Sequence, residues 1–152
     1  MPGSGIDVPT TTAMIRLSQI NSEILKKMGF ANSSRTTPAS LIKDLSDLSR
    51  KLDSWRDSLP ECLNIREPLQ RTQTPSEVRL IHSIYIRLSY YSSIISVHMI
   101  LAQPWTYGMR RGDREQALHD CAAESTAATA EAARQMILTV RYIEPHGASP
   151  AW

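Results

Sequence analysis

The chain has 152 residues, a length typical of one domain with a sizeable hydrophobic core. Apolar residues make up 41% of it and charged residues 21%, as in an ordinary soluble protein. Seventeen Lys and Arg against fifteen Asp and Glu leave a net charge of +2, too small to indicate nucleic-acid binding by itself. The basic group Arg110, Arg111 and Arg114 is interpreted as a solvated connection rather than a phosphate site.

The cysteines and the N-terminus favour a reducing, intracellular compartment. Cys62 and Cys121 stand alone, outside any metal-binding or redox spacing, and are predicted to be buried thiols. The opening MPGSGIDVPT lacks the basic region and apolar run of a signal peptide. Residues 1–10, which hold two Pro and two Gly, are predicted to be a loose lead-in, and residues 144–152, EPHGASPAW, an irregular tail.

The first two helices are indicated by apolar residues three or four apart. The first is predicted from about Thr11 to Met28, closed by Gly29 in the left-handed conformation. Its apolar side comprises Met14, Leu17, Ile24, Leu25 and Met28. The second begins at Thr37-Pro38 or Ser40 and runs to about Ser58. Its stripe comprises Leu41, Leu45, Leu48, Leu52, Trp55 and Leu59. An irregular connection, residues 60–73, follows, with possible anchors at Cys62, Leu63, Ile65 and Leu69.

The longest apolar-rich stretch, residues 74–107, is predicted to be one long buried helix. Thr74, Pro75 and Glu77 form a start signal, and Pro104 is the stop. The predicted inner face comprises Ile81, Ile84, Leu88, Tyr91, Ile95 and Met99. Residues 84–88 alternate as a strand would, but the length of the segment argues against a strand. Its serines, tyrosines and histidine make it too polar for a membrane span.

A fourth helix is predicted from a cap at Asp113, completed by Gln116, to about Tyr142. Its small residues are expected to pack closely against the central helix; they are Cys121, Ala122, Ser125, Ala128 and Ala132. The segment from Met136 to Val140 is apolar nearly all round, which predicts full burial. The predicted fold is all-α, about four helices with irregular connections.

The sequence indicates no enzyme and no catalytic, cofactor-binding, metal-binding or DNA-binding residue. His82 and His98 lie more than four turns apart on one helix, and His119 and Cys121 fall on nearly opposite faces. His98 is interpreted as a core histidine bonded to a backbone or serine partner. The acidic residues Glu77, Glu124 and Glu131 are interpreted as surface or capping groups.

Three ordered segments carry a family resemblance. The first is L-D-x-W-x-x-x-L-P-x-x-L, and its residues here are Leu52, Asp53, Trp55, Leu59, Pro60 and Leu63. The second is an I-L-x-x-P-aromatic step at Ile100, Leu101, Pro104 and Trp105. The third, Ala130-Glu131-Ala132-Ala133-Arg134, looks like a C-x-E-A-A-R segment that opens a helix. Together they resemble the fungal-specific transcription factor domain, the middle homology or regulatory region of fungal zinc binuclear cluster transcription factors.

The resemblance implies that residues 11–143 are an internal fragment of a longer all-helical regulatory domain in the nucleus. It also implies that DNA and zinc are bound by a separate N-terminal cluster of six cysteines, which this chain lacks, so no cofactor is expected here. The expected partners are other parts of the full-length regulator or the transcription machinery, with a small-molecule effector as a further candidate. No membrane contact is expected. Apolar stripes left uncovered in a fragment predict marginal stability or self-association.

Two other functions remain open at this point. The chain could be a stand-alone α-helical protein-interaction domain without DNA binding. It could also be a small helical enzyme or ligand carrier, with a pocket between the central and fourth helices lined by Tyr90, Tyr91 and His98.

Overall fold

A computed structural model describes residues 8–29, 37–69, 77–102 and 114–143. The elements in these ranges are α1 (Val8–Met28), α2 (Pro38–Asp57), a short 3-10 helix (Glu61–Leu63), α3 (Glu77–Ala102) and α4 (Arg114–Val140). No strand occurs in the described ranges, and the predicted all-α class is confirmed.

The ends of α1 and α2 follow local chemistry, with two corrections. The first is that α1 begins at Val8, inside the predicted lead-in of residues 1–10 and before the predicted start at about Thr11. Thr37 caps α2: its side-chain oxygen accepts from the Ser40 backbone N–H at 3.3 Å, and Pro38 occupies the first turn. Gly29 closes α1 by donating its N–H to the Leu25 carbonyl at 3.1 Å. Its φ lies outside the left-handed region, so that prediction was wrong. Glycine is still required there because a Cβ would collide with the Leu25 carbonyl oxygen.

The core begins in the layer between α1 and α2. Leu17, Leu48 and Leu52 have no exposed surface, and the predicted stripe of α2 is buried as far as Trp55, with Leu59 partly buried. Fully burying a leucine contributes about 2 kcal/mol, so this row supplies much of the stability of the layer. The prediction for Leu25 was wrong, since it is 74% exposed. It is adjacent to buried Ile24, and consecutive helical residues point about 100° apart.

Polar groups join α1 to α2 around this layer. The Trp55 indole Nε1 donates to the Ala13 carbonyl at 2.9 Å in the interior. At the surface Lys27 pairs with Asp44 at 2.9 Å, and Lys51 pairs with Glu23 at 2.5 Å. Exposed pairs of this kind contribute about 0 to 1 kcal/mol each. The layer therefore depends mainly on its leucines.

The inner face of α3 differs from the predicted one. Ile81 and Met99 are 60% and 48% exposed, whereas Arg87 and Tyr90 are buried. The other buried members of the face are Ser83, Ile84, Ile86, Ser93, Val97 and Leu101. Because α3 packs against α1, α2 and α4, its apolar residues surround much of the helix and their spacing does not select one face. The predicted signals Thr74, Pro75 and Pro104 lie outside the described residues.

The pairing of α3 with α4 is the most extensive one between described helices. Of the predicted small-residue face of α4, Ser125 and Ala132 are fully buried, and Cys121, Ala122 and Ala128 are half-buried. Full burial of the last turns was a wrong prediction, because Ile137 is 73% and Val140 48% exposed. No described element covers that outer side. Of the predicted cap residues, Asp113 lies outside the described residues and Gln116 lies in the first turn of α4.

The connection after α2 is anchored as predicted at two of its four positions. Leu63 and Ile65 are buried, Leu69 is partly buried, and Cys62 is exposed. The prediction of two buried thiols therefore fails at Cys62, while Cys121 is half-buried. The Asn64 side-chain oxygen accepts the Arg66 backbone N–H at 2.8 Å, which turns the chain. This turn directs the carbonyls of the segment toward α3.

Candidate functional site

A cavity of about 570 Å³ lies between α3, α4 and the connection of residues 65–69. Cavities that bind small molecules span about 300 to 1,000 Å³. Its apolar lining is Ile65, Pro68, Leu69, Tyr90, Tyr91, Ile94, Ala128, Ala132, Leu138 and Tyr142. Its polar lining is Arg56, Arg66, Glu67, Arg87, Glu131, Gln135, Thr139 and Arg141. The cavity therefore combines an apolar interior with a small set of charged groups.

Arg87 is the most unusual of these groups. It is 6% exposed, and its guanidinium donates to the carbonyls of Asn64 at 2.8 Å, Ile65 at 3.2 Å and Glu67 at 2.6 Å. Its Nε is buried without a partner, and no carboxylate pairs with Arg87 in the described parts of the chain. Burial lowers the pKa of Arg87 from its usual 12.5. Arg87 thus fixes the connection to α3 and leaves a positive charge at the cavity.

Aromatic rings form one wall of the cavity. The Tyr90 ring stacks on Trp55 with centroids 5.8 Å apart, and the Tyr91 ring meets Tyr90 edge-on at 5.3 Å. The Tyr90 hydroxyl accepts from Arg56 Nη1 at 3.3 Å and lies 3.5 Å from an Asp53 carboxyl oxygen. Burial raises the pKa of Tyr90 to about 12. Tyr90 is therefore a neutral, fixed ring at neutral pH.

Most of the remaining charges around the cavity are paired. Arg56 contacts Asp53 at 3.0 Å and Asp57 at 3.1 Å, and Asp57 also binds Arg66. The Glu131 carboxylate accepts from Arg134 and from the Gln135 amide at 2.8 Å. These partners lower the pKa of Glu131 to about 2, with Arg134 the larger cause. Among the charges whose partners are described, Arg87 therefore differs in being held by carbonyls alone.

His98 lies away from this cavity and joins three helices. Its Nδ1 is 3.1 Å from the Ser125 hydroxyl of α4, and its Nε2 is 3.4 Å from the Ser49 hydroxyl of α2. The interpretation of His98 as a core histidine with serine partners is confirmed. Burial lowers its pKa below the usual 6.5, although the charges of Asp53 and Glu124 oppose this shift.

Two fungal transcription factors are similar to this chain. An ABC-transporter-regulating transcription factor of Aspergillus oryzae is 25% identical in an alignment of 140 residues that covers 88% of this chain. A protein of the same name from Aspergillus fumigatus is 23% identical in an alignment of 141 residues that covers 89% of this chain. The chain spans about 15% of the length of each of these curated relatives. No protein-family model and no solved structure matches it.

Both relatives are named as transcription factors, in agreement with the coarser part of the sequence resemblance. Neither relative is named as an enzyme, which agrees with the prediction that this chain is not one. Of the three motifs, the first is structural: Leu52, Trp55 and Leu63 are all core residues. The third lies within α4 rather than at the start of a helix. The end of the second, Pro104 and Trp105, is outside the described residues.

The structure brings together part of the pocket that the sequence suggested. Tyr90 and Tyr91 line the cavity, but His98 does not. Sequence reasoning missed Arg87, although a signal was present. Arg87 is the only charged residue between Leu80 and Ala102, and it lies on the same face as Tyr91 because the two are four residues apart. A lone charge inside an apolar helix indicates a buried polar contact.

None of the helices in the described ranges is long and apolar enough to cross a bilayer. The described side chains also include no group of three or more His, Cys, Asp or Glu placed to hold a metal ion. His82 and His119 accordingly join no such cluster.

Proposed function

We propose that this chain is the regulatory, non-DNA-contacting portion of a fungal transcription factor. Its support is the similarity to two transcription factors over nearly the whole chain. That similarity covers about 15% of each relative, which leaves most of each relative for other tasks. In this proposal DNA and zinc are bound by an N-terminal module outside these residues, and the protein acts in the nucleus. Its partners are then other parts of the same regulator or the transcription machinery.

The test is a fusion of residues 1–152 to an unrelated DNA-binding domain, with a reporter gene in a fungal host. We expect reporter transcription to differ from that given by the DNA-binding domain alone. Leu52→Asp places a charge in the core and is expected to remove the effect. Leu25→Asp, on the exposed side of α1, is the matched control and should retain it. Equal transcription with and without the folded chain would refute the proposal.

A second candidate, a helical interaction domain without DNA binding, is favoured by apolar residues at the surface. Ile15 and Tyr85 are 56% and 59% exposed and line one shallow groove between α1 and α3. A second copy of the chain could cover this groove, giving the predicted self-association. Light scattering should then show dimers that Tyr85→Lys dissociates. A monomer at every concentration would count against this surface.

End-to-end sequencing of the native transcript separates the two candidates. A reading frame that extends upstream into six closely spaced cysteines would support the regulatory role. A transcript that starts at Met1 and stops after Trp152 would support the stand-alone domain.

A further inference from the structure

The cavity beside Arg87 has the features of a binding site with a defined chemical preference. Arg87 is held rigidly, because three backbone carbonyls accept from its guanidinium. Carbonyl oxygens carry partial charges, so they orient the guanidinium without neutralising it as a carboxylate would. The positive charge is therefore fixed in place before any ligand arrives, and little ordering cost remains to be met on binding.

Two tyrosines line the same cavity as this charge. They are Tyr142 and Tyr91, and Tyr91 follows Arg87 by one turn of α3. Burial raises the pKa of Tyr91, so its hydroxyl keeps its proton at neutral pH and can donate it. Gln135 adds an amide to the same lining, although one of its N–H groups donates to Glu131. This end of the cavity is thus rich in donors.

The rest of the wall is apolar. Ile94 of α3 faces the small residues Ala128 and Ala132 and the larger Leu138 of α4, with Leu69 from the connection. The small alanines leave the open volume, since longer side chains at these positions would fill it. An occupant would therefore bury an apolar body against this wall.

We propose that the cavity binds a small carboxylic acid with an apolar body, its carboxylate toward Arg87 and the Tyr91 hydroxyl and its body against Ile94 and Ala128. Arginine and hydroxyl donors match a carboxylate in charge and in hydrogen-bonding role. The fixed positive charge disfavours cations, and a neutral alcohol lacks the negative charge that strengthens the hydrogen bonds of a carboxylate. The site is independent of any role in transcription.

The first experiment compares decanoate with decan-1-ol by isothermal titration calorimetry on the whole chain. The two probes share an apolar tail and differ in charge. We expect decanoate to bind roughly tenfold tighter or more, the value of one hydrogen bond to a charged group. Equal affinities, or no binding of decanoate, would overturn the proposal.

Variants then locate the site. Ala128→Phe fills the cavity from α4 and should abolish binding of both probes, whereas Ala127→Phe, an exposed neighbour outside the lining, is the matched control and should retain it. Tyr91→Phe removes only the hydroxyl and should weaken decanoate roughly fivefold and decan-1-ol by less, because the bond to the alcohol is not charge-assisted. Unchanged decanoate binding in Ala128→Phe would place the ligand elsewhere and refute the assignment.

Arg87→Met tests the charge directly. It should remove the preference for decanoate over decan-1-ol; a preference that persists would contradict the role of Arg87. If this variant does not fold, the Tyr91 and Ala128 variants still decide the matter. An acetylated leucyl-glutamyl-leucine peptide that bound more tightly than decanoate would make the cavity a peptide-docking site, and the proposal would be wrong.

Discussion

The α1–α2 layer and the α3–α4 pair are built on different principles. Between α1 and α2 the interior is a row of leucines, and the charges stay at the surface in pairs such as Lys27 with Asp44. Between α3 and α4 the interior includes buried Arg87, Ser125 and Thr139, and a cavity remains open. The first region is closely packed, whereas the second keeps polar groups and free volume.

The two regions therefore contribute differently to the free energy of folding and to the definition of one unique structure. Apolar packing is tolerant of detail and supplies most of the folding free energy. Buried polar groups add little net stability, but each requires its partner in one place, so they define a unique arrangement. A ligand site needs such an arrangement together with space. The α3–α4 side is therefore where we locate binding, and the α1–α2 side is where we expect the largest losses of stability.

The largest expected effect is in the leucine row. Leu52→Ala should lower the free energy of unfolding by about 3 kcal/mol, because Leu52 has no exposed surface and its removal leaves a cavity. Leu25→Ala, at a 74% exposed site, should change it by less than about 0.5 kcal/mol. Urea denaturation followed by circular dichroism measures both. Similar losses in the two variants would show that the α1–α2 layer is not the main core.

The second prediction concerns Arg87, the buried arginine of the α3–α4 pair. Arg87→Met should cost about 2 kcal/mol, because the carbonyls of the connection lose their donors. Arg134→Met, which breaks only an exposed pair with Glu131, should leave the free energy of unfolding nearly unchanged. The same denaturation experiment applies. A neutral or stabilising Arg87→Met would mean that the carbonyls find other partners readily.

A smaller effect is expected from pH, again on the α3–α4 side. Because folding lowers the pKa of His98 below 6.5, the unfolded chain binds its proton more readily. The contribution of His98 to the free energy of unfolding is complete above about pH 6.5, and it is lost as the pH falls toward the pKa of His98 in the folded chain. His98→Asn should flatten this decline, and His119→Asn, at an exposed site, should keep it. Parallel thermal melts from pH 5 to 8 provide the check.

The smallest effect is expected at the surface of the α1–α2 layer. Lys51→Ala should cost about 0.5 kcal/mol at low salt and nearly nothing at 1 M salt, since it removes a surface ion pair with Glu23. Denaturation midpoints at the two salt concentrations measure this. A loss that persists at high salt would show that the Lys51 side chain contributes by packing instead.

The sequence predicted the α1–α2 side better than the α3–α4 side, because apolar and charged positions differ more clearly along α2 than along α3. Along α2, leucines at three-to-four spacing alternate with charged residues, so one face is unambiguous. Along α3 nearly every position is apolar or a small hydroxyl, so Ile81 and Met99 were assigned inward although they are exposed. The prediction of full burial for the last turns of α4 was wrong for the same reason, since Ile137 is exposed.

The cavity could be predicted only in part. Tyr90 and Tyr91 were predicted in a pocket between the central and fourth helices, and both line the cavity there. The role of Arg87 depends on the carbonyls of Asn64, Ile65 and Glu67, and no side-chain pattern encodes where backbone carbonyls point. Such a contact is determined by the turn at Asn64 and becomes visible only in three dimensions.

The unequal exposure of the two cysteines allows one of them to be labelled selectively with a spectroscopic probe. Cys62 is exposed, whereas Cys121 is half-buried and burial raises the pKa of its thiol, which leaves less of the reactive thiolate. A maleimide dye at neutral pH should therefore label Cys62 first, without any substitution. Cys62 directly precedes Leu63 and the segment whose carbonyls hold Arg87. A fluorophore attached there would report on the region beside the cavity in the otherwise unaltered protein.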